Sequence, residues 1–367
     1  MNKLKELAKL GQSVWLDFIS RKLLTSGDLT KLIDDGLRGM TSNPTIFDKA
    51  ISKSNDYDED IKRLVSDDFT VDEIYERLTL KDIGMAADEM KKVYDQTKGY
   101  DGYVSIEVNP VLANNTKETI SQAKHLFKEL GRPNIMIKIP GTNEGLPAIT
   151  EVLGSGINVN VTLIFSTDSY KKVVEAFVAG LEKFDKAGGD LSKVASVASF
   201  FVSRVDTAVD KELESKGNKD LLGKIAVANS KIAFEISEQI FNSERWKKLS
   251  AKGARKQRLL WASTGTKNPA YSDILYIDEL IGPDTVNTMP PDTIKAFVDH
   301  GKLELTLNKG IDEAKSQLKK LKDLGIDFNK ITIKLLVDGV KLFSNSFESL
   351  IGSLDEKIKK IKQEVDV

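Results

Sequence analysis

The chain has 367 residues, and its 54 basic and 55 acidic side chains leave a formal net charge of −1. This balance gives no indication of nucleic-acid or membrane binding. Hydrophobic residues make up 40% of the sequence, enough for a sizeable core. Cysteine is absent, which excludes disulfides, thiolate metal sites and a cysteine nucleophile. Because the N-terminal segment also lacks the apolar core of a signal peptide, we expect a cytoplasmic protein.

Short stretches of strand-type sequence alternate with helical segments along the chain. Val173, Phe177 and Leu181 illustrate the helical spacing. The stretches with strand character are 13–19, 38–43, 103–109, 134–140, 157–165, 194–202, 258–263 and 284–289. Eight strand–helix repeats predict an α/β fold, a (β/α)8 TIM barrel, with a doubly wound open sheet as the alternative.

The domain organisation predicted from this pattern is a single barrel domain over residues 1–367 with two helical elaborations. About 60 residues with several helical patterns separate the second and third predicted strands, which predicts a helical insertion at about 45–102. Beyond the eighth strand the sequence becomes helical and charged, which predicts C-terminal helices at about 305–367.

Two helices are predicted within this C-terminal region. Their periodicity places one at 311–323 and the other at about 329–352. In the charged tail that follows, Ile358 and Ile361 fall on one helical face. A short apolar face among so many charges is typical of a solvated helix that frays at its end, and we expect that structure here.

The first candidate for chemistry is a lysine inside an apolar strand. Lys138 lies between Ile137 and Ile139, and barrel enzymes place their chemistry at the C-terminal ends of strands. Burial favours the neutral amine of a lysine, which can attack a ketone or aldehyde to form a Schiff base. A structural role, either in an ion pair or pointing outward between helices, is an equally supported alternative.

Carboxylates and neutral polar groups interrupt other predicted strands in the same way. Asp17 and Glu107 could each form a structural salt bridge, but beside a buried lysine they make an acid/base set around a carbonyl adduct. Asn160 and Thr162 supply donors and acceptors suited to sugar hydroxyls. Asn43 could do the same, or could serve only the turn before its proline.

An anion site is predicted after the sixth and seventh strands. Ser199 and Arg204 lie around the end of the sixth strand, and Ser263 to Lys267 (STGTK) follow the seventh. The loops near strands 7 and 8 of this fold frequently hold phosphate. Nucleotide binding by a P-loop is excluded, because the leading glycine of that motif is missing and no Ser or Thr follows Lys267.

The histidines give no support for a metal site. His125 and His300 fall on helical or loop segments away from the predicted strand ends. Without cysteine or a histidine cluster, the usual ligands of a transition metal are missing. We expect both histidines to have surface or packing roles.

Several segments match the motifs of one known family in the right order. The run IMIKIPGTNEGLPAITEV at 135–152 resembles the Schiff-base lysine segment of transaldolases, and TSNPTIF at 41–47 resembles their N-terminal signature. NVTLIFS at 160–166 and SFFVSR at 199–204 also resemble transaldolase segments. WASTGTK at 261–267 is similar to the longer bacterial type of the family.

The resemblance implies a class I Schiff-base aldolase on a (β/α)8 barrel. Its reaction would transfer a dihydroxyacetone unit, converting sedoheptulose 7-phosphate and glyceraldehyde 3-phosphate into erythrose 4-phosphate and fructose 6-phosphate in the non-oxidative pentose phosphate pathway. No cofactor or metal is implied, because a protonated imine accepts the electrons of the breaking bond. Sugar phosphates are the implied partners, with no nucleic acid or membrane and with a homodimer as the implied assembly.

Residue roles follow from the same resemblance. Lys138 would form the Schiff base, and Asp17 would shuttle the proton of the hydroxyl next to the breaking bond. Glu107 and Thr162 would hold the catalytic water. The residues implied to bind substrate are Thr41, Asn43, Asn160, Ser199, Phe201, Arg204, Ser263 and Lys267.

One departure and two alternatives accompany this interpretation. Many transaldolases carry an arginine where this chain has Gly265, and we expect Lys267 to supply that charge to the phosphate. The related fructose 6-phosphate aldolase releases free dihydroxyacetone and has glutamine and tyrosine where this chain has Glu107 and Phe201, so these residues favour transfer. The other alternative, a catalytically silent sugar-phosphate-binding barrel, would keep the phosphate residues but lose the lysine or a carboxylate.

Overall fold

The computed structural model describes residues 2–365 and contains a closed barrel of eight parallel strands. The strands are β1 (Gln12–Asp17), β2 (Gly39–Thr41), β3 (Tyr103–Glu107), β4 (Ile135–Pro140), β5 (Val159–Ile164), β6 (Ser196–Phe201), β7 (Arg258–Ala262) and β8 (Thr285–Met289). Each strand pairs with the next, and β8 pairs with β1. This closure confirms the (β/α)8 TIM barrel and excludes the open sheet. The predicted strand ends differ from these bounds by at most two residues.

Helices surround the barrel and extend it at two places. They are α1 (Lys3–Lys9), α2 (Arg21–Thr25), α3 (Asp28–Asp35), α4 (Pro44–Ser52), α5 (Asp58–Ser66), α6 (Val71–Gln96), α7 (Thr116–Leu130), α8 (Gly145–Leu153), α9 (Thr167–Lys186), α10 (Ser203–Ser215), α11 (Ile225–Phe241), α12 (Glu244–Ser250), α13 (Leu275–Asp278), α14 (Pro291–His300), α15 (Ile311–Asp323) and α16 (Phe328–Val365). Three of them, α4 to α6, fall in the region of the predicted insertion. The division into one domain with insertions stays a prediction.

The core lies between the strands and the helices outside them. Every residue of β4 is buried, as expected for a parallel strand whose two faces are both covered. On α9 the apolar stripe of Val173, Phe177 and Leu181 is buried, which confirms the helical periodicity read from the sequence. The sequence therefore specifies these elements through the side chains that they bury.

The C-terminal tail differs from the prediction of a fraying, solvated helix. Helix α16 runs for 38 residues without a break, and Ile358 and Ile361 are each only 5% exposed. The reason is tertiary packing, because α16 lies against α4 and α5. Lys357 fixes this position, since its Nζ donates to the carbonyl of Ser54 at 2.7 Å and lies 2.5 Å from Asp58 Oδ1.

The strand register brings the candidate residues to one end of the barrel. Glu107 of β3 is level with Lys138 of β4, and Lys138 is level with Asn160 of β5. The pairing of β5 with β6 shifts register between Val161 and Ile164, where Leu163 has a φ of +60°. A bulge of this kind changes the direction of neighbouring side chains, and Thr162 lies within the shifted segment.

The histidines lie on the surface, as predicted. His125 Nε2 lies 2.8 Å from Glu76 Oε1, and His300 Nε2 lies 2.9 Å from Asp273 Oδ1. Across residues 2–365, no three His, Asp or Glu side chains converge in a way that could hold a metal ion. Within the same range, no helix has the length and apolar character needed to cross a bilayer.

Candidate active site

A cavity of about 250 Å³ lies at the C-terminal ends of the strands. Strand side chains from around the barrel line it, together with the loops that follow them. Its predicted lining residues are Asp17, Thr41, Asn43, Lys138, Thr162, Ser199, Phe201, Arg204, Ser263 and Lys267. The other two predicted site residues, Glu107 and Asn160, lie beside this lining rather than in it. The closed barrel therefore brings together groups that are far apart in the sequence.

Lys138 is buried at the wall of this cavity. Its side chain is 6% exposed, and its Nζ lies 3.2 Å from Glu107 Oε2. The same Nζ donates a hydrogen bond to the carbonyl of Ser42 at 3.2 Å. The ion pair offered as the structural alternative is therefore present. Lys138 lines the cavity despite this ion pair. The ion pair and a role in Schiff-base chemistry are therefore compatible.

Glu107 and Thr162 carry buried oxygens with free acceptor capacity near this lysine. The side chain of Glu107 is 4% exposed. Among the described residues, the buried Thr162 Oγ1 has no hydrogen-bond partner, and the buried Glu107 Oε2 has only its 3.2 Å ion pair with Lys138 Nζ. Burial raises the pKa of Glu107, while the charge of Lys138 opposes the rise. Two buried oxygens with free acceptor capacity are suited to hold a small polar molecule.

Asp17, at the end of β1, is the carboxylate in the lining of the cavity. Its Oδ1 accepts a hydrogen bond from Thr41 Oγ1 at 2.8 Å, and Thr41 Oγ1 lies 2.7 Å from Thr288 Oγ1. Burial raises the pKa of Asp17, and the charges of Lys138 and Arg204 oppose the rise. A carboxylate whose proton affinity is increased in this way, and whose orientation a neighbour fixes, is suited to general acid–base chemistry.

Arg204 provides a cation at the cavity wall. Its guanidinium carbon lies 5.2 Å from the ring centroid of Phe201 and 5.8 Å from that of Phe343. It makes no ion pair with any residue from 2 to 365. Burial lowers the pKa of Arg204, yet a guanidinium keeps its charge. A cation held between aromatic rings without a carboxylate partner is suited to bind an anionic substrate group.

The loop after β7 adds further groups beside this cation. Ser263 has a φ of +56°, and its Oγ lies 2.9 Å from Ser203 Oγ. Its carbonyl accepts from the backbone N–H of Ser203 at 3.0 Å, which ties the β7 loop to the start of α10. Lys267 lies exposed on the same loop. Ser263 and Lys267 therefore line the same cavity as Arg204, and anion binding by these groups stays a prediction.

The two predicted asparagines occupy different places. Asn43 lines the cavity, while its Oδ1 accepts from the backbone N–H of Ile46 and caps α4, so it serves the turn as well. Asn160 is fully buried. It donates to Ser105 Oγ at 3.1 Å and accepts from Ser199 Oγ at 2.7 Å. Asn160 therefore orients Ser199, which does line the cavity.

Among the lining residues that were not predicted as site residues from the sequence, four bear on the function of the cavity. Thr288 obeys the rule used for the other candidates, since it is a polar residue near the end of a barrel strand, and that rule could have found it. Lys49 of α4 is a second exposed lysine at the cavity. Leu342 and Phe343 come from α16, and nothing in the local sequence links that helix to the strand ends.

A larger cavity, of about 470 Å³, lies outside the barrel. Residues of α11 and α15 contribute to its lining, including Lys231 and Glu313, and none of the barrel strands does. Since barrel chemistry is located at the C-terminal ends of strands, we assign the candidate active site to the smaller cavity.

The barrel is closed, and a buried lysine and carboxylates lie at the C-terminal ends of its strands. This arrangement is typical of (β/α)8-barrel enzymes. The family model described as "Transaldolase/Fructose-6-phosphate aldolase" matches residues 14–354. The chain belongs to this family.

Relatives of nearly equal length support the assignment. The chain is 49% identical to a protein named "Transaldolase" from Trichodesmium erythraeum, with 98% of each chain covered. It is 46% identical to "Transaldolase 2" from Nostoc sp., again with 98% of each covered. A "Transaldolase" from Saccharopolyspora erythraea is 47% identical, with 98% of this chain and 99% of that one covered. These relatives are named transaldolases, and this chain is an enzyme of their family.

Proposed function

We propose that this enzyme transfers a dihydroxyacetone unit between sugar phosphates through a Schiff base on Lys138. The donor and acceptor are sedoheptulose 7-phosphate and glyceraldehyde 3-phosphate, and the products are erythrose 4-phosphate and fructose 6-phosphate. The observation that carries the proposal is the environment of Lys138. Its Nζ is buried, lines the strand-end cavity and lies 3.2 Å from a carboxylate.

The first half of the reaction forms the adduct. Glu107 accepts a proton from the Lys138 ammonium, and its raised pKa makes it a stronger base for that step. The amine then adds to C2 of the ketose, and loss of water from the carbinolamine gives the iminium. Glu107 and Thr162 hold that water through their buried oxygens, which have free acceptor capacity.

The second half breaks and remakes a carbon–carbon bond. Asp17 removes the proton of the C4 hydroxyl as the C3–C4 bond breaks, and the bonding electrons move to the iminium nitrogen. The aldose leaves, and a three-carbon enamine remains on Lys138. The enamine carbon then attacks the aldehyde of the acceptor, Asp17 returns the proton, and hydrolysis releases the new ketose.

Substrate binding uses the remaining groups of the cavity. Arg204, Ser263 and Lys267 bind the phosphate at the β6 and β7 side. Thr41, Asn43 and Ser199 contact the hydroxyls of the donor, and Phe201 forms an apolar wall beside Arg204. Asn160 acts through Ser199, with which it shares a 2.7 Å hydrogen bond.

Borohydride trapping tests the proposal. The enzyme is incubated with fructose 6-phosphate, reduced and mapped by peptide mass, with a parallel sample that receives erythrose 4-phosphate before the reductant. We expect a three-carbon adduct on Lys138 that disappears when the acceptor is present. The buried Lys231 of the outer cavity is an internal control and should carry no adduct.

The other outcomes separate the alternatives. An adduct that persists with acceptor, together with release of free dihydroxyacetone, would identify a fructose 6-phosphate aldolase. Absence of any adduct on Lys138 with fructose 6-phosphate and with sedoheptulose 7-phosphate would contradict the Schiff-base mechanism and leave the silent sugar-phosphate-binding barrel. Lys138→Ala should abolish both the adduct and turnover.

A further inference from the structure

The C-terminal helix α16 supplies an aromatic cover to the candidate active site. Phe343 is 4% exposed, and its ring centroid lies 5.5 Å from Lys138 Nζ. The same ring lies 5.8 Å from the guanidinium carbon of Arg204. A single side chain of α16 therefore contacts both the lysine and the cation of the cavity, although it comes from outside the barrel strands.

The position of this ring is fixed by the packing of α16 on β5. Gly339, one turn before Phe343, faces Leu163, and a Cβ at residue 339 would lie 2.9 Å from Leu163 Cδ2. Leu163 has little room to move, because it is 2% exposed and lies at the bulge of β5. Close approach of the helix to the strand therefore depends on glycine at this position.

A second contact fixes the next turn of the helix. Ser346 Oγ accepts a hydrogen bond from Thr45 Oγ1 at 2.8 Å, and Thr45 also lines the cavity. With Gly339 against β5 on one side and Ser346 against α4 on the other, the segment that carries Phe343 is held at both ends. The ring is part of the cavity wall rather than a mobile side chain above it.

The chemistry of the enamine shows what such a ring can do. Phenylalanine has no group that exchanges protons, and an apolar ring keeps water from the atoms that it covers. If water protonates the enamine carbon, the resulting iminium takes up a second water and releases free dihydroxyacetone, which restores Lys138. Each release of this kind loses a dihydroxyacetone unit that would otherwise be transferred to the acceptor.

Glu107 also borders a different cavity. It lines a second cavity of about 270 Å³, together with Tyr75 and Phe347. Phe347, one turn after Phe343, packs edge-on against Tyr75 with a centroid distance of 5.3 Å. Phe343 therefore closes only the substrate side of the Lys138–Glu107 pair. Because Phe343 does not line the second cavity, the ring does not separate that cavity from Glu107.

We propose that Phe343 is a specificity-determining residue that keeps water from the enamine on Lys138 and so favours transfer over release of free dihydroxyacetone. This inference rests on the proposed function. It concerns the ratio of two products rather than the formation of the Schiff base, and the two proposals can therefore fail separately.

The test compares variants of α16 by two rates, the transfer of the three-carbon unit to erythrose 4-phosphate and the release of free dihydroxyacetone from fructose 6-phosphate. For Phe343→Ala we expect the ratio of release to transfer to rise at least about tenfold, which equals about 1.4 kcal/mol. Phe343→Leu keeps an apolar side chain and should restore most of the wild-type ratio.

Leu354→Ala is the matched control. Leu354 is buried on the same helix but lines neither cavity, so this variant weakens the packing of α16 without uncovering Lys138. Its ratio should stay at the wild-type value. An unchanged ratio in Phe343→Ala would overturn the proposal. An equal rise in Leu354→Ala would also overturn it, because loosening of the helix would then be the cause.

The borohydride adduct separates this inference from the proposed function. If wild type forms the adduct on Lys138 and transfers it, a negative result with Phe343→Ala concerns only the role of the ring. If wild type forms no adduct, the proposed function is wrong, and the proposed role of Phe343 in keeping water from the enamine is wrong as well.

Discussion

Burial acts differently on the ionisable side chains of the cavity. Asp17 and Glu107 lose hydration and become stronger bases. Arg204 loses hydration too, but its guanidinium stays charged. Lys267 lies on the exposed rim of the cavity, where its long side chain is flexible and its ammonium group is hydrated. The site therefore provides buried bases in and beside the cavity lining, and cations at the wall and rim of the cavity.

The exposed lysine on the β7 loop is expected to bind the donor phosphate. Lys267→Ala should raise the KM for fructose 6-phosphate with little change in kcat, because a contact made equally in the ground and transition states affects binding alone. An increase of about tenfold corresponds to a charged hydrogen bond of about 1.4 kcal/mol. Steady-state kinetics with the donor varied measure this effect.

Lys49→Ala provides the comparison. Lys49 is also exposed at the cavity, but it comes from α4, which follows β2, whereas Ser263 follows β7, three strands away around the barrel. If Lys49→Ala raises the donor KM and Lys267→Ala leaves it unchanged, the phosphate is bound on the α4 side and the assignment to Lys267 is wrong.

Among the secondary-structure elements, a buried carboxylate links the start of α10 to the start of α11. Asp206 Oδ1 accepts from the backbone N–H of Ala226 at 2.7 Å, and its Oδ2 accepts from Tyr276 OH at 2.9 Å. Burial raises the pKa of Asp206 to about 7, and the carboxylate of Asp210 adds to the rise. The link therefore involves a group that titrates near neutral pH.

The stability of the fold should depend on this titration. Between about pH 4 and pH 7 the folded state keeps a proton on Asp206 that the unfolded chain has lost. The free energy of unfolding therefore falls as the pH rises through this window, by at most about 1.4 kcal/mol per pH unit from this group. Asp206→Asn cannot lose that proton, and its stability should fall less over the same range.

Urea unfolding of both proteins across this pH range measures the effect. The difference between the two curves isolates Asp206 from other buried carboxyls with raised pKa values, such as Asp17, Glu107 and Asp82. A difference that does not vary with pH would show that Asp206 ionises at its ordinary pKa in the folded state.

For the molecule as a whole, closure of the barrel is supported by a buried ion network at its N-terminal end. Arg258 of β7 lies 2.8 Å from Asp101, and both side chains are 6% exposed. Ser13 of β1 donates to Asp101 at 2.7 Å and accepts from Arg258 at 2.9 Å. Trp15 donates to the same carboxylate at 3.2 Å. The network joins β1, β7 and the segment before β3, at the end opposite the cavity.

Removal of one partner should destabilise the fold without affecting the site. Asp101→Ala leaves the Arg258 charge buried and unpaired, which costs about 3–5 kcal/mol of the free energy of unfolding. The kcat and KM of the folded fraction should stay at wild-type values, because the N-terminal end of a barrel serves stability. Denaturant unfolding and steady-state kinetics measure the two effects.

The control for this prediction is an exposed ion pair. Asp88 binds Arg132 on the surface at 2.7 and 2.8 Å, and Asp88→Ala should cost only about 0–1 kcal/mol. Equal losses in the two variants would mean that the Asp101 network adds no more than a surface pair.

The sequence by itself determined the eight strands, the barrel and most of the cavity. Strands of a parallel barrel are buried on both faces, so a polar side chain such as Lys138 or Asp17 stands out in its own segment. Parallel strands also bring their C-terminal ends together, and ten of the twelve predicted site residues accordingly line one cavity. A polar residue within a strand and the end of that strand can both be recognised from a short segment of sequence.

The tertiary structure alone decided which helix covers the site. Phe343 lies 5.5 Å from Lys138 Nζ, and Ile358 and Ile361 are buried where a solvated tail was expected. An amphipathic pattern shows that a helix has an apolar face, but it does not show which surface that face packs against. The surface that α16 covers exists only after the barrel has closed and α4 and α5 have packed beside it, so no local stretch of sequence contains that information.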